Sequence, residues 1–161
     1  MNFSDFINDF KNNNTDVEKL QSFNDFEDFF SYYDSPHWSF MYTAFVIHAP
    51  CKFLEKNIST NPLYSYLYAK IVLNDRFPLG EKIIAKKSAE YSYLYAKNVL
   101  NGRFELGEKK IASDPEYACI YAIYVLKGRF ELGERAIQKN DSLHKIYSEF
   151  CKKDVDILSE I

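Results

Sequence analysis

Arg76, Arg103 and Arg129 each stand five residues before a glutamate: Glu81, Glu108 and Glu134. Such arginines could form a ladder of cations for phosphates or acidic side chains. They could equally close on their glutamates as planar, bidentate pairs. Recurrence decides between the two, because a catalytic group is needed once whereas a scaffold needs its clamp in every copy. These six residues therefore read as a structural repeat clamp. His37, His48 and His144 have no ligand spacing and no Cys or carboxylate cluster beside them, so no metal is expected. Cys51, Cys119 and Cys151 are odd in number, far apart and in no C-x-x-C arrangement, which argues for a reducing compartment. No local signature supports a Cys–His nucleophile, and Gly80 and Gly107 lie in helical contexts that cannot cradle a phosphate. We expect no catalysis and no cofactor.

Binding chemistry has one better candidate. Tyr66 with Lys70, and Tyr93 with Lys97, recur off the expected core face and would stack as a ladder. Their equivalents in the next unit are Cys119 and Ile123, which turns an aromatic–cation pair into an apolar one. Tyr beside an apolar patch suits a protein partner. The runner-up is nucleic acid or a nucleotide, held by stacking and charge on the Tyr/Lys face.

The elements that must position these residues come from an internal repeat. Leu73-Asn74-Asp75-Arg76-Phe77-Pro78-Leu79-Gly80-Glu81 returns 27 residues later as Leu100–Glu108 and 26 after that as Leu126–Glu134. Tyr68-Ala69, Tyr95-Ala96 and Tyr121-Ala122 keep the same register. Weaker copies extend it outward, with Pro50 in the arginine position of the first. The units are 35–60, 61–87, 88–113, 114–139 and a partial 140–161.

Each unit predicts two helices. The first opens at an N-cap, with Pro next at Ser35-Pro36, Asn61-Pro62 and Asp114-Pro115; Ser88 serves in the remaining unit. Helical spacing puts Tyr64, Tyr68, Tyr91, Tyr95, Tyr117 and Tyr121 in the core. Gly102 and Gly128 read as left-handed C-caps, with Asp75 at that place in the second unit. A shorter second helix follows, starting near Pro78, Glu105 and Glu131. Its inner face is expected to be Leu79 with Ile84, Leu106 with Ile111, and Leu132 with Ile137. Gly80, Gly107 and Gly133 each cost about 1 kcal/mol of helix stability, so their recurrence predicts close helix contact.

Residues 1–34 differ in character. They carry eight acids against Lys11 and Lys19, a net of −6, whereas residues 35–161 carry a net of +3. Phenylalanines at helical spacing and a capping box at Thr15–Glu18 predict an acidic, Phe-rich helical cap. The start has no basic region followed by an apolar run, and no stretch approaches the roughly 18 apolar residues of a membrane helix. The expectation is a soluble, cytoplasmic, all-α protein: a short α-solenoid of about five helix–turn–helix repeats behind an N-terminal cap, with no membrane contact. Solenoids offer extended surfaces, and with no catalytic cluster the favoured role is protein binding.

The pattern Tyr-Ala-x-x-Val-Leu-x-Gly-Arg-Phe-x-Leu-Gly-Glu, at residues 95–108 and again at 121–134, resembles a short helical repeat of tailed-bacteriophage proteins. Pro78 matches a proline of that repeat where the other units carry Glu. The resemblance implies an α-helical array of viral origin. It also implies host-directed interaction in the host cytoplasm, interference with a host defence included.

Overall fold

The computed structural model describes residues 35–159, with side chains at 46, 47 and 153–159 left aside. The cap expected at 1–34 lies outside the described residues. Every regular element among the described residues is helical. Helix α1 spans Pro36–Tyr42 and α2 Lys52–Ile58; α3 spans Pro62–Leu67 and α4 Pro78–Lys87. Then come α5, Ala89–Tyr95, α6, Glu105–Ile111, α7, Pro115–Tyr121, and α8, Glu131–Ile137. The last unit is a single long helix, α9, Asp141–Ser159. Within a unit the two helices pack on each other, and like helices of successive units contact in series. The described residues form an all-α helical-repeat fold.

Local chemistry explains the starts. Ser35 and Ser88 side chains accept the N–H of Trp38 and Tyr91, while Asn61 and Asp114 each accept two N–H groups of the first turn. These bonds satisfy donors that have no partner inside the helix.

The ends differ from expectation. Helices α1, α3, α5 and α7 each widen into a π-helical turn: Thr43–Ile47, Tyr68–Leu73, Ala96–Leu100 and Ala122–Leu126. The left-handed residue that closes the turn is Asn74 (φ 49°), Asn101 (φ 50°) or Lys127 (φ 51°), with His48 (φ 54°) in the first unit. Gly102 and Gly128 are therefore not the left-handed caps. They follow the cap, and their N–H groups return to Ala96 and Ala122 carbonyls, as that of Asp75 returns to Ala69. Asp75 fills this position as well as glycine does because no positive φ is required there.

The glycines of the second helices behave as expected. A Cβ on Gly107 would lie 2.4 Å from Phe104 Cδ1 and 3.0 Å from Ser92 Cβ. Gly80 and Gly133 are equally confined, by Phe77 with Ser65 and by Phe130 with Ala118. The core correspondingly holds Phe77, Phe104 and Phe130 beside Ile84, Ile111 and Ile137. Burying one such side chain contributes about 1.5–3 kcal/mol. Leu79, Leu106 and Leu132 do not share that face. They are exposed, because the phenylalanine preceding each helix takes the inward place.

Candidate functional site

Tyr68, Tyr95 and Tyr121 are wholly buried, and each reaches back into the preceding unit. Tyr95 Oη accepts the Phe77 N–H at 2.8 Å and donates to Glu81 Oε1 at 2.9 Å. Tyr121 repeats this with Phe104 N–H at 3.0 Å and Glu108 at 3.1 Å, and Tyr147 with Phe130 N–H at 2.8 Å and Glu134 at 3.1 Å. Thus each of these helix N-termini is closed by the hydroxyl of the next unit. The same glutamates receive Arg76, Arg103 and Arg129 at 2.8–2.9 Å. The first two pairs are bidentate, with Nε and Nη2 on separate carboxylate oxygens. Burial pushes the tyrosine hydroxyls up, that of Tyr121 to about 12. Burial also pushes the Glu81 carboxyl up, but hydrogen bonds from Arg76 and Tyr95 outweigh it and hold the group below its ordinary value. This is a scaffold motif: every one of these carboxylates is occupied from both sides.

The Tyr/Lys ladder is brought together but not as an open aromatic face. Tyr66 and Tyr93 are only 5% and 6% exposed, and Cys119 is buried; the expectation that they stand off the core is corrected. In a repeat array the first helix meets a neighbour on each side, so its buried arc is wide. Tyr66 stacks on Tyr91 at 6.0 Å and Tyr93 packs on Tyr117 at 6.1 Å, ring to ring across successive units. Tyr64, Tyr91 and Tyr117, expected in the core, are instead half-buried at this seam. Lys70 and Lys97 remain exposed, with ammonium groups 5.8 Å and 5.5 Å above Tyr66 and Tyr93, and Ile123 is half-buried. Lys97 also lies 4.9 Å over the exposed Tyr124. Stacking bases on these tyrosines would require open ring faces. The rings are already covered.

An open apolar surface lies instead on the second helices, where Leu79, Leu106 and Leu132 were expected in the core. Phe53, Leu79, Leu106 and Leu132 occupy the same register on α2, α4, α6 and α8, and all are 52–59% exposed. One large apolar residue left in water is ordinary; four at one repeat position form a row. A groove of about 610 Å³ runs from Leu106 of this row to two of the clamps, lined also by Arg76, Glu81, Arg103, Phe104 and Glu105. The arginine side chains are 59–64% exposed while gripping their glutamates. The signal was present in the sequence as Leu-Gly-Glu, where the confined glycine and occupied glutamate fix the phase and turn leucine outward.

A second cleft, of about 550 Å³, lies at the end of the array among Arg129, Glu134, His144, Tyr147, Ser148 and Cys151. Among the described residues, no group of three or more His, Cys, Asp or Glu side chains is placed to hold a metal. No helix among them is long and apolar enough to cross a membrane. Comparison of the chain with protein families, curated proteins and solved structures finds no match.

Proposed function

We propose that the chain is a non-catalytic protein-binding module that presents its row of outward leucines to a partner. The observation that carries this reading is the repetition of an exposed apolar side chain at one register in four units. Buried centres of interfaces are built from such residues, whereas an isolated exposed leucine would mean nothing. The resemblance to tailed-phage repeats extends the proposal to a host protein as the target, defence proteins included, reached in the host cytoplasm.

Affinity capture from a bacterial host lysate, read by mass spectrometry, tests it with a matched variant. Leu79→Asn, Leu106→Asn and Leu132→Asn together should change stability little, about 0.5 kcal/mol per site, because the side chains are largely in water. A saturable partner held by the natural chain and lost with the triple variant supports the reading. Equal capture by both chains, or no saturable partner, overturns it.

A further inference from the structure

Resting on that reading, we infer that the leucine row takes an acidic amphipathic α-helix of the partner, with apolar residues recurring at every seventh position.

The charge argument comes from the residue three places after each apolar anchor. Phe53 is followed by Lys56, Leu79 by Lys82, Leu106 by Lys109 and Leu132 by Arg135. All four cations are exposed. Residues three apart lie on one face of a helix, so each unit offers an apolar knob with a cation beside it. Lys86 extends the same face of α4 by one more turn. The groove next to Leu106 is charge-balanced, with Arg76 and Arg103 beside Glu81 and Glu105, so the sign of this surface is set by the exposed side chains of the helices themselves. Exposed Glu105 and Glu131 offset Lys109 and Arg135 on α6 and α8, and the positive excess lies on α2 and α4 at Lys52, Lys56, Lys82 and Lys86. Acidic side chains complement that excess and basic ones are repelled, which sets the sign of the partner.

The spacing argument chooses a helix. The anchors sit on helices that contact one another from unit to unit, with Cα atoms within 8 Å. Packed helix axes lie about 8–10 Å apart, which sets the step from one unit to the next along the row. Seven residues of α-helix advance about 10.5 Å and return to almost the same face. An extended strand covers that distance in about three residues, and an odd step turns alternate side chains away. A helix with apolar residues seven apart therefore meets each anchor in turn, with carboxylates on its flanks meeting the cations.

The test uses the full chain with three labelled peptides, followed by fluorescence anisotropy, and with phosphatidylglycerol vesicles and labelled single-stranded RNA as alternative ligands. The first is a synthetic helical peptide with leucine at every seventh position and glutamate flanking it. The second carries lysine in place of glutamate, and the third is the first peptide scrambled. The acidic peptide should bind, weaken as salt is raised, and weaken about tenfold or more with Lys82→Glu, Lys109→Glu and Arg135→Glu combined. The leucine triple variant should lose a similar factor, about tenfold or more. Circular dichroism of both variants should match the natural chain, since every substituted side chain is exposed. Equal binding of the lysine peptide, indifference to the charge reversal, or no binding of the acidic peptide overturns the inference. So does preferential binding of phosphatidylglycerol vesicles or single-stranded RNA. If lysate capture still yields a leucine-dependent protein while the acidic peptide is not bound, protein binding survives and only the partner chemistry is wrong.

Discussion

The first described unit and the three that follow solve one packing problem in two ways. In the later units a phenylalanine precedes the second helix and a glycine sits three residues on: Phe77 with Gly80, Phe104 with Gly107, Phe130 with Gly133. The ring occupies the space into which any Cβ on the glycine would project. In the first unit these positions are Cys51 and Leu54. The small residue and the large one have changed places, and Leu54 is fully buried. Pro50 replaces the arginine at the same time, so Glu55 receives the Tyr68 hydroxyl at 3.0 Å without an arginine of its own unit. Side-chain volume is thus balanced across the pair, while the hydroxyl bond to the preceding unit is kept at every one of these junctions.

Transplanting one solution into the other should move stability most. Phe104→Cys alone should cost about 3–5 kcal/mol through the cavity it opens. Gly107→Leu alone should cost about 1–3 kcal/mol or more through overpacking against the ring. The double variant rebuilds the first unit's arrangement and should be more stable than either single one, a coupling that urea denaturation of all four chains measures. Additive losses would refute the idea that the two positions share one space.

Losses of intermediate size separate the hydroxyl bonds. Tyr95→Phe strands the buried Phe77 N–H and removes a donor from Glu81, and should cost about 1–3 kcal/mol. Tyr68→Phe should cost less, about 1 kcal/mol, because Cys51 and Glu55 are only half-buried and water can replace the hydroxyl. Thermal unfolding of the two variants checks the order, and equal losses would erase the distinction between the units.

Acidification should bring the mildest change. The Glu81 carboxyl is held below its ordinary value of 4.5 in the folded chain. Its contribution is therefore fully present above pH 4.5 and is lost as pH falls from there through the folded value. Arg76→Gln removes the strongest cause of the lowering, so acid unfolding should begin at higher pH than in the natural chain. An unchanged acid midpoint by circular dichroism would show that Tyr95 alone holds the carboxylate.

The repeat, its helix starts and the Arg–Glu pairs were legible in the sequence because each depends on residues close in the chain. An N-cap such as Asn61 bonds within its own first turn, and Arg76 reaches only to Glu81. What was hidden depends on neighbouring units. Tyr66 and Tyr93 look peripheral on one helix and are covered by Tyr91 and Tyr117 of the next. Leu79, Leu106 and Leu132 look like core in helices of seven to ten residues, where an apolar stripe has too few members to fix its phase. The helix ends departed from expectation for a local reason. A widened last turn moves the left-handed residue ahead of the glycine, to Asn101 and Lys127.

Because a tyrosine reaches back across each junction, the units are interchangeable at their joins. A unit presents a carboxylate and a bare helix N-terminus to its successor, and a hydroxyl to its predecessor. As far as this bond is concerned any copy can follow any other, and the long helix α9 ends the described series by supplying Tyr147 in the same way. Duplication or deletion of a whole unit keeps the tyrosine bond at the join, while unit-specific contacts such as Asn98 Nδ2 to Tyr66 Oη would change. Array length is then a heritable variable, and each added copy would lengthen the exposed leucine row by one residue.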